Sequence, residues 1–169
     1  MILLIDTTLQ KRGNEVLREI RKADSNEHYE LIDAAEMNIS HCIGCNYCWL
    51  KTPGICTIKD DCEKILVKMI KAEQIWIISD TKYGFVSYKA KNIIDRMMPL
   101  VTMYLTFKDK QMRHIMRYDH MANIGFIYYG EADNEYLNRW SERTALNFGS
   151  NSLGVYSESQ IKEAVSCML

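Results

Sequence analysis

Apolar positions along this chain fall into short continuous runs, and these alternate with segments in which apolar residues recur at helical spacing. Met1 to Asp6 (MILLID) is an unbroken apolar run closed by an acid, the pattern of a short buried strand. Thr7 to Gly13 is polar and turn-like, and from Asn14 to about Lys22 the residues Val16, Leu17 and Ile20 mark one face of a helix. His28 to Ile32 predicts a second strand, whereas Asp33 to Pro53 carries no sustained period. Asp60 followed by Glu63 forms a capping-box pattern for a helix with Ile65, Leu66, Met69 and Ile70 on its core face. Gln74 to Ile78 is apolar on both faces, as expected in the middle of a parallel sheet. After the turn SDTKYGFVS, Ser87 caps a helix to about Met98, ended by Pro99. Val101 to Met121 reads as an irregular, polar-aromatic connection of unusual length. Ala122 to Tyr129 predicts a strand, Asn134 to Phe148 a helix and Leu153 to Tyr156 a last strand. Ser157 with Gln160 forms a second capping box, opening a terminal helix.

Five strands, each followed by a helix, imply an α/β fold: a doubly wound five-stranded parallel sheet, order 2-1-3-4-5, with helices on both faces. The pattern shows no internal repeat or linker, so residues 1–169 are expected to form a single domain. In such a sheet the ligand lies at the carboxyl ends of strands 1 and 3, where the winding reverses. Three loops are therefore the candidates for function: Thr7–Gly13, Asp80–Val86, and Gly130 onward.

Composition narrows the setting. With 169 residues, 47% apolar, 25% charged and a net charge of −1, the chain has no electrostatic reason to seek nucleic acid or an anionic membrane. No apolar run approaches the roughly 18 residues of a membrane span, and MILLID is short for a signal-peptide core. A soluble, cytoplasmic protein is expected. In that reducing setting clustered cysteines serve metals or redox chemistry more often than structural disulfides. Cys42, Cys45, Cys48, Cys56 and Cys62 are clustered in this way, while Cys167 stands apart.

Three stretches carry a family likeness: CIGCNYCWLKTPGICTIKDD, SYKAKNIIDRMMPL and RYDHMANIGFIYYG. Together they resemble the NADPH-dependent FMN reductase and iron–sulfur flavoprotein branch of the flavodoxin-like superfamily. The resemblance implies a flavodoxin-like fold and an FMN oxidoreductase that takes electrons from NAD(P)H. It would pass them to a small-molecule acceptor such as a quinone, a flavin or a carrier, with the flavin rather than a side chain supplying the chemistry. The FMN phosphate would sit on residues 7–15, TTLQKRGNE, because amides and hydroxyls at a helix N-terminus favour an anion. There Thr7 stands at the family's glycine, Thr8 at its serine and Gln10 at its arginine; Gly13 and Asn14 match, and Glu15 replaces a hydroxyl residue. The second loop would border the flavin ring with Thr81, Lys82, Tyr83 and Gly84, although Asp80 replaces a proline and Lys82 a tyrosine. In the third loop, Gly130 follows Tyr128 and Tyr129, which either stack on the ring or pack against the sheet.

The spacing C-x2-C-x2-C-x7-C places Cys42, Cys45, Cys48 and Cys56 as potential ligands of a 4Fe–4S cluster. Free or redox-active thiols are the competing reading, since the Cys48–Trp49 pair resembles relatives that carry only flavin. Two rivals to the reductase follow: an FMN plus 4Fe–4S electron-transfer protein fed by a ferredoxin-like donor, and a cofactor-less interaction module. The 101–121 segment, with Tyr104, Phe107 and Tyr118, is expected to pack across a two-fold axis in a homodimer or higher homo-oligomer.

Overall fold

A computed structural model describes residues 1–23, 28–108 and 110–169. In chain order its strands are β1 (Ile2–Asp6), β2 (Tyr29–Asp33), β3 (Gln74–Lys82), β4 (Phe85–Val86), β5 (Val101–Lys108), β6 (Gln111–Met116), β7 (Asn123–Tyr129) and β8 (Ser152–Ser157). The helices are α1 (Gly13–Ala23), α2 (Tyr47–Leu50), α3 (Cys62–Lys71), α4 (Tyr88–Asp95), α5 (Asn134–Asn147) and α6 (Ile161–Met168). Single 3-10 turns lie at Met98–Leu100 and Glu158–Gln160.

The main sheet runs β2-β1-β3-β7-β8 with every one of these pairs parallel, which is the doubly wound order expected from the sequence. Alternation along each strand divides the core in two. Leu3, Ile5, Ile75, Ile77 and Phe126 face α3, α4 and α5, whereas Ile2, Leu4, Trp76, Ile78 and Ile127 face α1 and α6. All four apolar residues of β1 are essentially inaccessible, and each buried side chain of this size contributes about 1.5–3 kcal/mol. Trp76 is paired in register with Gly125, where a Cβ would lie 2.6 Å from the indole. The absence of a side chain at 125 is what lets the largest residue of the core lie flat against the sheet.

Several boundaries differ from the sequence reading. The helix opened by Ser87 stops at Asp95 rather than Met98, because the chain tightens into the 3-10 turn that holds Pro99. Strand β3 continues four residues beyond Ile78 and folds back as β4. At that turn Tyr83 and Gly84 both adopt positive φ, 55° and 75°, as a tight hairpin with right-handed twist requires. The stretch read as irregular, 101–121, is largely an antiparallel hairpin of β5 and β6. Its β-branched and aromatic residues favour strand, but most β5 side chains are exposed on both faces, so no alternation betrays it. The Asp60–Glu63 capping box does not form: Asp61 is the N-cap of α3, and Asp60 accepts from the Cys62 amide at 3.1 Å while pairing with Arg96. The Ser157–Gln160 box does form, on the turn before α6. Among the described residues no helix is long and apolar enough to cross a membrane.

Candidate functional site

The carboxyl ends of β1, β3 and β7 bring the three candidate loops side by side. Thr7 ties the first to β3 through its backbone N–H and its hydroxyl, both donating to the Ile78 carbonyl at 2.9 Å. The hydroxyl of Thr81 donates to the Tyr129 carbonyl at 3.2 Å, and Gly84 bridges to Ala132, joining the second loop to the third. Gly130 has φ 108°, and a Cβ there would meet the Thr81 hydroxyl at 2.6 Å.

Within the first loop most donors are already engaged, although the buried Arg12 Nε–H has no partner. Asp6, 1% exposed, accepts from the Thr8 amide (2.9 Å), the Thr8 hydroxyl (2.7 Å) and the Gly13 amide (2.7 Å). The Thr8 oxygen in turn accepts from the Arg12 amide at 2.9 Å. The amides of Asn14 and Glu15 donate to the carbonyls of Lys11 and Arg12, while Gln10 and Asn14 are exposed. The Glu15 carboxylate is bound by Arg12 at 2.8 Å and by the Tyr129 hydroxyl at 3.1 Å, and the Arg12 bond holds it below the usual carboxylate range. Lys11 is paired with Asp33. For a phosphate dianion this loop does not fit: a carboxylate of the chain itself occupies the N-terminus of α1.

For a flavin ring the outer loops are more open. Tyr83 at the hairpin tip is 94% exposed with the Lys82 ammonium over its ring, and the space around Gly84 is empty within 4 Å. Both Tyr128 and Tyr129 are buried, in opposite halves of the core, so they pack against the sheet rather than offering faces to a ligand. Asp80 is partly buried, and burial lifts its carboxyl above the usual range.

The cysteines form a second centre. Cys42, Cys45, Cys48 and Cys56 line one cavity of about 330 Å³, closed by Trp49, Ile58 and Met98. Burial, then the proximity of Cys56, Cys42 and Cys45, pushes the Cys48 thiol up. Cys62, the first residue of α3, lies outside this cavity and is fully buried, its thiol pushed up to about 12 by burial. Among the described residues no group of three or more cysteine, histidine or acidic side chains is set to hold a single metal ion. Four thiolates that each bind their own iron of a cubane need not converge so tightly.

Protein contacts hold both stems of this segment. One stripe of α4 grips the incoming stem: Lys89 donates to the Ala35 carbonyl, Asn92 to Ile39 at 3.1 Å, and Arg96 to Ser40 at 3.0 Å. Arg96 also donates to the Ile58 carbonyl of the outgoing stem and pairs with Asp60 through two bonds of 2.8 and 3.0 Å. Trp49 closes the far side, donating to the Met98 carbonyl at 2.9 Å with its ring 4.9 Å from that of His114 on β6. Sequence reading missed both Asp6 and Arg96. Asp6 read as a polar strand end and Arg96 as part of a helix, and only tertiary closure reveals their partners.

No family model matches this sequence. Over 103 residues the chain is 40% identical to an iron–sulfur flavoprotein of Methanocaldococcus jannaschii, covering 59% of this chain and 52% of that protein. It is 38% identical over 99 residues to an iron–sulfur flavoprotein of Archaeoglobus fulgidus, covering 56% and 47%. The chain thus spans about half the length of these relatives. An FMN-dependent NADH-azoreductase from Bacillus anthracis, solved with FMN, superposes with a TM-score of 0.56 at 11% identity, covering 97% of this chain and 92% of that one. That likeness establishes the flavodoxin-like fold, as the strand order does.

Proposed function

We propose that this chain is a flavin-dependent oxidoreductase of flavodoxin-like fold whose cysteine segment holds a 4Fe–4S cluster. The observation that carries the cluster is the single cavity lined by Cys42, Cys45, Cys48 and Cys56. The names of the two archaeal relatives, and the FMN bound by the azoreductase of the same fold, support a flavin at the carboxyl edge of the sheet. A bound cluster would store single electrons, and a bound flavin would accept hydride from NAD(P)H and deliver electrons to a small acceptor such as a quinone, a second flavin or a carrier protein. The chain's own part is positional. The α4 stripe holds both stems of the cysteine segment, Trp49 and Met98 border the cavity that the thiols line, and the Tyr83–Gly84 turn presents a rim for the ring.

Protein purified or reconstituted anaerobically is expected to hold stoichiometric iron and sulfide, with a broad absorbance near 400 nm that disappears in Cys45→Ser. Iron no higher than in that variant would leave the flavin-only reductase, with free thiols, as the surviving reading.

A further inference from the structure

The first loop and the flavin reading disagree, and the disagreement is specific enough to assign a specificity. Most of the donors a phosphate would need in residues 7–15 have a partner within the chain, the exceptions being Gln10 and the Arg12 Nε–H. Asp6 takes the amide and hydroxyl of Thr8 and the amide of Gly13. Turn carbonyls take the amides of Asn14 and Glu15. The nearby cations are paired as well, Arg12 with Glu15 through Nη1 and Lys11 with Asp33. Asp80, on the neighbouring strand, adds a third carboxylate close enough to feel the charges of Asp6 and Arg12. A phosphate dianion brought to this rim would meet three carboxylates, with the Arg12 Nε–H and the exposed Gln10 as the donors left without a partner. That is the reverse of the arrangement by which helix N-termini hold phosphate.

We infer that the rim binds a flavin through its ring alone, with Asp6 and Glu15 as the specificity-determining residues, so that riboflavin binds at least as well as FMN. This rests on the flavin reading of the second and third loops. The neutral ribityl alcohol of riboflavin gives Asp6 and Glu15 nothing to repel, whereas the FMN phosphate, two negative charges at neutral pH, is repelled by both. Glu15 is the residue that sets the sign. It stands in the first turn of α1, and Arg12 and Tyr129 fix it there rather than leaving it to swing into solvent.

Titration of the full chain with riboflavin and with FMN, followed by quenching of flavin fluorescence, tests this directly. Riboflavin is expected to bind as tightly as FMN or more tightly. Raising salt should strengthen FMN binding by screening the repulsion and leave riboflavin unchanged. Glu15→Thr should tighten FMN at least tenfold without moving riboflavin. Asp6→Asn, which neutralises the buried carboxylate and releases the Gly13 amide, should act in the same direction. FMN binding at least tenfold tighter than riboflavin in the unaltered chain, weakened by salt, would overturn the inference and leave the flavin reading standing. No binding of either flavin to the unaltered chain or to either variant would overturn both.

Discussion

Asp60 and Arg96 meet as a buried pair, joined by two hydrogen bonds of 2.8 and 3.0 Å, with side chains 2% and 1% exposed. Arg96 keeps Asp60 ionised although burial opposes it, helped by the amides of Ser40 and Cys62. Such a pair adds little over an apolar substitute of the same shape, but losing one partner strands the other charge. Arg96→Met is therefore expected to cost about 3–5 kcal/mol in denaturant unfolding. Asp60→Asn should cost a similar amount, because it leaves the buried guanidinium, which cannot shed its proton, without a counter-charge. Small effects from both would show that the pair does not close the cysteine segment.

Asp80 gives a pH dependence of opposite sign to that of a paired acid. Burial raises its carboxyl pKa, the Leu9 amide offsets part of that, and Asp6 adds to it. The folded chain therefore holds this proton more readily than the unfolded one. The cost to stability is absent below the unfolded value near 3.9 and sets in as pH rises through that value to the raised folded one. Asp80→Asn should raise Tm at pH 7, with the gain gone by about pH 3. A Tm gain that persists at low pH would place its cause elsewhere.

The β5–β6 hairpin projects Tyr104 and Phe107 at 67% and 72% exposure, with Leu105 and Met112 beside them. An apolar arm of this kind is expected to be covered by a second copy. Light scattering at micromolar concentration should give a dimer, and the double change Tyr104→Ser with Phe107→Ser should give a monomer. A monomeric unaltered chain would refute the arrangement.

Gly125 offers a test of the core. A methyl group there would stand 2.6 Å from the Trp76 ring, in the middle of the sheet. Gly125→Ala is expected to destabilise the fold by about 1–3 kcal/mol, the cost of overpacking a filled interior. A shift in the Trp fluorescence maximum should accompany it.

The sheet was legible because β1, β3 and β7 are buried on both faces and therefore announce themselves as apolar runs. Ser87, Ser157 and Gln160 make their caps as their spacing implies, since a cap is a local event. The hairpin of residues 101–116 was not legible, because an arm that buries little has no two-residue alternation to read. The same limit applies at the rim. The spacing of Gly13 and Asn14 suggests a phosphate loop, yet the Gly13 amide is taken by Asp6, a residue whose role appears only when β1 and α1 are brought together. Asp60 was legible as a helix-starting residue, but its partner lies 36 residues away.

The grip of α4 on both stems of the cysteine segment bears on how the protein matures. In small zinc domains the metal is the scaffold, and the chain without it is unfolded. Here Lys89, Asn92 and Arg96 bring the two ends of the segment together with side chains alone, and Asp60 locks them in place. On the cluster proposed above, the consequence is that an iron-free chain should already be a finished receptacle, folded with its thiols gathered, and removal of iron should leave its far-UV circular dichroism unchanged.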